Sequence, residues 1–347
     1  MKRDIEADLT DWKNRTDHMP LLLRGARQVG KSYIVENFGQ QAFDNVVTIN
    51  LEEKPELRQV FETSLDPKVI TDFFARYFGT PVRPEKTLLF IDEIQECPRA
   101  ILSLRYFKEK YPALHVIAAG SLLEFTLKDA DFRMPVGRVE SLYLKPLSFS
   151  EYLSAEDASL LTMIKEATLE KPIDPLIHQM LIEKLKIYFE IGGMPAIVKN
   201  YLDQRSFFHS QRSQAAIYEF YKRDFGKYHQ RIKPEYIAQI YQKSPYIIGE
   251  KFKYTKISTD LQSRDLKPAL QALIDAGLLY RVYHTAGSGL PFGATKNDRK
   301  FKLLGLDIGL IRYATHIGTQ ATHYGEWPPL NNLNLLHISS IEKCIQL

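Results

Sequence analysis

Residues Gly25-Ala26-Arg27-Gln28-Val29-Gly30-Lys31-Ser32 have the form G-x-x-x-x-G-K-[ST]. Few eight-residue stretches constrain a fold so tightly. The apolar run Met19-Pro20-Leu21-Leu22-Leu23 before it reads as a buried strand. The stretch Ser32-Tyr33-Ile34-Val35-Glu36-Asn37-Phe38 after it reads as the opening of a helix. Gly25 and Gly30 permit backbone angles that a Cβ forbids, so the N–H groups of residues 26–32 can turn inward. Together with the helix N-terminus they present partial positive charge to a di- or triphosphate. Lys31 would reach the β- and γ-phosphates, and Ser32 would offer its hydroxyl to Mg²⁺.

A second element fits the same chemistry. Thr87-Leu88-Leu89-Phe90-Ile91 is an apolar strand that ends in Asp92-Glu93. Its carboxylates would lie at the C-terminal edge of a parallel sheet, where phosphate loops also sit. Asp92 is the candidate for holding Mg²⁺, and Glu93 for activating water. The next buried strand, His115-Val116-Ile117-Ala118-Ala119, closes in Gly120-Ser121. Ser121 is a candidate sensor of the γ-phosphate, although a strand ending in Gly-Ser also reads as a plain turn. Arg138, in Pro135-Val136-Gly137-Arg138, could complete a neighbouring subunit's site as an arginine finger, or could be an exposed turn residue. Arg133 and Arg27 are weaker candidates for that role.

The rest of the first 150 residues alternates between strand and helix. Strands are expected at 46–51 and 139–144, and helices at 1–18, 55–63, 67–78 and 99–111. Such alternation predicts right-handed crossovers and a parallel sheet covered on both faces, an α/β fold. Residues 151–232 read as mostly helical, broken at Gly192-Gly193-Met194-Pro195, where one helix ends and another begins. Residues 234–283 read as helix, extended piece, helix and strand, an order that suits a winged helix-turn-helix. Residues 286–294 would then form its wing or a loop.

Composition sets the broad class. The chain has 347 residues, 44% hydrophobic and 25% charged, as expected of a globular protein. It has no apolar run of the roughly 18 residues that span a bilayer, and no apolar segment after its basic start that would make a signal peptide. Its two cysteines, Cys97 and Cys344, make neither a disulfide framework nor a metal-binding spacing. A cytoplasmic, membrane-free setting is expected. Between Arg205 and Lys256 eleven Lys/Arg face four Asp/Glu, an excess of +7 in a chain whose net charge is +4. This excess permits DNA as a partner, and equally describes a solvated helix face.

These residues resemble the AAA-superfamily ATPases of bacteria and archaea that carry a C-terminal domain of unknown function. The resemblance covers roughly residues 8–317. It rests on Arg24 to Ser32, on Phe90-Ile91-Asp92-Glu93-Ile94-Gln95, on Ala119-Gly120-Ser121 and on Gly137-Arg138-Val139. It rests also on Lys145-Pro146-Leu147-Ser148-Phe149-Ser150-Glu151-Tyr152, on Gly192-Gly193-Met194-Pro195, and on Asp307-Ile308-Gly309-Leu310. It implies a P-loop NTPase of the AAA+, ASCE type over residues 1–150. A helical lid over 151–232 and a winged-helix-like domain over 233–317 would follow. It implies Mg²⁺-dependent ATP hydrolysis driving a conformational switch, with ATP and ADP as ligands, a possible homo-oligomer, and either DNA or a protein as the further partner. A P-loop kinase fits less well, because Asp92-Glu93 and the long lid have no place in one. Members of the family continue into a nuclease-like domain that residues 318–347 do not resemble, so a truncated C-terminal domain is expected. No arginine follows Met194-Pro195 closely enough to be identified as a sensor 2 residue.

Overall fold

The computed structural model describes residues 1–127, 137–228, 232–286 and 292–315. The tail at 318–347, Arg133 and most of the segment expected to form the wing lie outside the described residues. The chain forms two compact units, one of Arg3–Lys145 and one from Pro146 onward that also takes in Met1–Lys2.

The first unit follows the order α1 (Ile5–Asn14), β1 (Leu21–Arg24), α2 (Lys31–Ala42), β2 (Asn45–Asn50), α3 (Arg58–Thr63), α4 (Pro67–Phe78), β3 (Thr87–Asp92), α5 (Pro98–Lys110), β4 (His115–Ala119), α6 (Leu123–Leu127) and β5 (Glu140–Tyr143). The five strands form one parallel sheet in the order β2-β3-β4-β1-β5. Every residue of β3 and β4 is buried, so both faces at the centre of the sheet are covered. Local chemistry fixes the helix ends. Asp66 caps α4 by accepting from the Lys68 N–H at 2.9 Å, Pro67 opens it, and Gly79 closes it with φ 64°. The order places β4 between β1, which leads into the phosphate loop, and β3, which ends in Asp92. Whatever follows β4 therefore stands between the two candidate elements.

At the opposite edge of the sheet, α1 is fastened by an aromatic cluster. Trp12 donates to the Met19 carbonyl at 2.8 Å and meets His18 and His115 edge-on. The rings of His18 and His115 stack with centroids 3.9 Å apart, and both are buried. Burial, then the neighbouring His18, pushes the His115 pKa from 6.5 down to about 4. The folded state therefore binds fewer protons than the unfolded chain, and this contribution to stability is lost as pH falls from about 6.5 through 4. The midpoint of thermal unfolding is expected to drop by on the order of a few degrees across that window, and His115→Gln should flatten the drop. Comparing the two pH profiles isolates His115 from other titrating groups.

The second unit begins with helices α7 (Phe149–Glu156), α8 (Ala158–Glu166), α9 (Pro175–Ile191), α10 (Pro195–Gln204) and α11 (Phe207–Asp224). Ser148 and Glu151 form a capping box at the start of α7, each side chain accepting from the other's backbone N–H at 3.2 and 2.8 Å. Then come α12 (Pro234–Lys243), α13 (Ser263–Asp275), the antiparallel strands β6 (Leu279–Thr285) and β7 (Lys296–Gly305), and α14 (Ile308–Ala314). Lys251 bridges to Lys302, which adds a short third rung to the hairpin.

The two glycines between α9 and α10 meet Asp307 here. The buried carboxylate accepts from the Gly193 N–H at 2.6 Å and caps α14 by accepting from the Leu310 N–H at 3.0 Å. Burial pushes its pKa up to about 6, against the pull of these backbone donors. Gly192-Gly193-Met194-Pro195 and Asp307-Ile308-Gly309-Leu310, far apart in sequence, thus form one joint. No helix among the described residues is long and apolar enough to cross a membrane.

Candidate functional site

The loop after β1 wraps tightly because two glycines let it. Gly25 has φ 144°, and a Cβ there would sit 2.2 Å from the Leu144 carbonyl oxygen. Gly30 has φ 94° and starts α2. Gln28, a non-glycine at φ 62°, turns the loop between them. Arg3 braces the loop by donating to the Val29 carbonyl at 3.3 Å and the Lys145 carbonyl at 2.6 Å.

Lys31 folds back over this loop. Its Nζ donates to the carbonyls of Gly25 at 3.0 Å and Ala26 at 2.8 Å. Burial pushes its pKa down to about 8; Glu93 and Asp92 pull it up, and Arg27 pushes it further down. The ammonium is therefore mostly charged at neutral pH, and a polyphosphate would stabilise that form.

The Ser32 hydroxyl donates to Asp92 Oδ2 at 2.6 Å. The structure thus joins the serine after the loop lysine to the acid that ends β3, sixty residues away in sequence. Two oxygen donors side by side suit a hard divalent cation such as Mg²⁺, with phosphate and water completing its shell. Among the described residues, no cluster of three or more His, Cys, Asp or Glu offers a metal site made of protein groups alone. Asp92 is buried, and burial raises its pKa while the Ser32 hydroxyl works against the rise.

Glu93 stands at φ 48°, a left-handed conformation uncommon for glutamate and one that collects at functional sites. Two donors converge on its Oε2, the Gln95 amide at 2.7 Å and the Ser121 hydroxyl at 3.3 Å. Gln95 fits because Gly120 lacks a Cβ, which would lie 2.3 Å from the Gln95 Oε1. Ser121 also accepts from Arg27 Nε at 3.1 Å. Through the position of β4, Ser121 links the phosphate loop to Glu93.

The structure brings together Gly25 to Ser32, Asp92, Glu93 and Ser121. It does not bring Arg138 to them. Arg138 precedes β5, whose Glu140 pairs with Leu21 at the start of β1, whereas the phosphate loop leaves the other end of β1. Its guanidinium is exposed and bonds Glu109 Oε1 at 3.3 Å. Sequence reasoning gave no role to Gln95, Arg3 or Arg24. Arg24 pairs with Glu124 on α6 and lies over the Tyr143 ring at 4.7 Å. Their partners are up to 142 residues away, so spacing alone carries no signal of them.

A parallel sheet in this order, with a phosphate loop after β1 and an acid pair where β3 ends, is the P-loop fold of the AAA+ type. Residues 17–153 match the AAA domain family, and residues 182–321 match a domain of unknown function. The chain thus carries an AAA domain over residues 17–153, followed by that second domain. No curated protein matches it significantly. Solved structures similar to it include the Aeropyrum pernix ORC1 protein in complex with DNA, at 11% identity over 93% of this chain and 95% of that one, TM-score 0.34. The Aeropyrum pernix ORC2 protein in ADPNP–ADP complexes is similar at 11% identity over the same shares, TM-score 0.41. The replication initiator DnaA bound to AMPPCP and single-stranded DNA is similar at 11% identity over 77% of this chain and 85% of that one, TM-score 0.34.

Proposed function

We propose that this chain binds ATP with Mg²⁺, hydrolyses it to ADP and phosphate, and uses the cycle as a conformational switch. The observation that carries the reading is the Ser32–Asp92 hydrogen bond beside a buried Lys31, because it unites the two halves of a metal–nucleotide site. Lys31 and the backbone N–H groups of residues 26–32 would bind the β- and γ-phosphates. Ser32 and Asp92 would hold Mg²⁺, which when bound neutralises phosphate charge. Glu93 would orient and deprotonate the attacking water, with Ser121 relating its position to the occupied loop. Calorimetry with ADP and with a non-hydrolysable ATP analogue in Mg²⁺ tests the first step. Lys31→Ala is expected to weaken binding by roughly 100-fold, since a buried cation facing phosphate is lost. Unchanged affinity in that variant, or no heat from the wild type, would end the reading.

The switch would act through the second unit, read as a helical segment followed by a winged-helix-like module. A specific observation favours DNA as its partner. Arg299, Lys300 and Lys302 of β7 and Lys267 of α13 are exposed; Lys296 and Arg264, also exposed, pair with Asp298 and Asp265. The expected 205–256 region supports this less, because Arg205, Lys222 and Lys256 pair with Glu156, Glu219 and Glu250, and Lys243 donates to the Ile257 carbonyl at 2.6 Å. A duplex titration at rising salt should show affinity falling steeply with ionic strength. Absence of binding at low salt would leave a protein as the partner, to be sought by ATP-dependent co-purification.

A further inference from the structure

Phosphoryl-transfer sites recurrently place an arginine beside the loop lysine and the metal, where it meets the charge of the transferring group. Three arginines touch the loop or its strand. Arg3 donates to the carbonyls of Val29 and Lys145, and Arg24 pairs with Glu124 and lies over the Tyr143 ring. Arg27 lies within the phosphate loop itself, half-buried, and its Nε–H donates to Ser121 Oγ at 3.1 Å. That bond anchors the guanidinium at its Nε end, and the same Ser121 oxygen lies 3.3 Å from Glu93 Oε2. Arg27 is also close enough to Lys31 for the two like charges to oppose each other. Two cations set in one small loop, against the carboxylates of Asp92 and Glu93, are stabilised together when a polyanion lies between them.

We propose that Arg27 supplies, from the same chain, the cation that stabilises the transition state of γ-phosphoryl transfer, held in place by Ser121. The inference rests on the ATPase reading above and deepens it. In the step, a water oxygen forms a bond to the γ-phosphorus while the bond from that phosphorus to the β–γ bridging oxygen breaks. The water proton passes to the Glu93 carboxylate, and the electron pair leaves on the ADP β-phosphate. The guanidinium meets the charge that spreads over the equatorial oxygens. An arginine in trans, as Arg138 would be, is then not required.

The test separates ground-state from transition-state binding. With Mg²⁺, Arg27→Ala is expected to bind ADP within about 3-fold of wild type and to lose turnover by roughly 10³-fold, the scale of arginine removal in such sites. It should also fail to form the tight complex with ADP and aluminium fluoride, a mimic of the transferring phosphoryl group, that the wild type forms. Arg27→Lys keeps a charge without the fork and should recover only part of either. Ser121→Ala should lose less than Arg27→Ala. Mixing Arg27→Ala with Lys31→Ala chains should restore no turnover, because both groups must lie in one chain. The proposal is overturned if Arg27→Ala turns over or traps aluminium fluoride as wild type does, if it loses ADP itself, or if the mixture recovers activity. A wild type that binds no nucleotide fails at the earlier step, which distinguishes loss of the ATPase reading from loss of this one.

Discussion

Glu93→Gln is expected to bind ATP as tightly as wild type and to turn it over about 10²- to 10⁴-fold more slowly. The replacement is nearly isosteric, and an amide oxygen can still accept from Gln95 and Ser121, which now bond Oε2 at 2.7 and 3.3 Å. What the amide cannot do is take a proton from water. The backbone at φ 48° is unchanged by the substitution, so any strain held there stays. Phosphate release under single-turnover conditions, set beside calorimetric affinity, reads the two effects separately. Equal rates in the two proteins would remove Glu93 from the chemistry.

Gly192→Ala is expected to destabilise the unit from Pro146 onward by on the order of 3 kcal/mol or more. Gly192 has φ 76° and ψ −170°, a region that is nearly glycine's alone. A Cβ would also lie 2.2 Å from Asp307 Oδ1, within the joint that holds Gly193 and the start of α14. The carboxylate cannot move aside without giving up buried N–H donors. Gly226→Ala is the control, because a Cβ there would meet nothing within 4 Å. Chemical denaturation of both variants gives the comparison, and equal midpoints would show that the joint tolerates the strain.

Much of the first unit was legible because its signals are local. The apolar run at 115–119 and the helix at 67–78 coincide with β4 and α4, since burial on both faces and a Pro–Gly punctuation mark them without reference to the rest of the chain. The phosphate loop and the strand ending in Asp92 were legible for the same reason. The short α6 went unread, being too brief to show a period. So did β7, whose Lys296-Asn297-Asp298-Arg299-Lys300 start has no β-branched residue and reads as a solvated turn. The stretch Pro146-Leu147-Ser148-Phe149-Ser150-Glu151 carries, besides its family likeness, the Ser148/Glu151 spacing of a capping box, which marks the start of α7.

The site was legible as a set of residues but not as a network. Spacing places Arg27 in a loop and Ser121 after a strand. Only the insertion of β4 between β1 and β3 puts one in hydrogen-bond reach of the other. Arg138, expected to act on a neighbouring subunit's site, precedes β5 and bonds Glu109 within its own chain.

The bracing by Arg3 has a mechanical consequence. One guanidinium grips both the loop, at the Val29 carbonyl, and the chain's exit from the sheet, at the Lys145 carbonyl. Gly25 presses on the Leu144 carbonyl from the other side, and the Leu144 N–H donates to Arg24 at 2.8 Å. A nucleotide that displaced the loop would strain the Arg3 contact at Lys145, the last residue of the first unit.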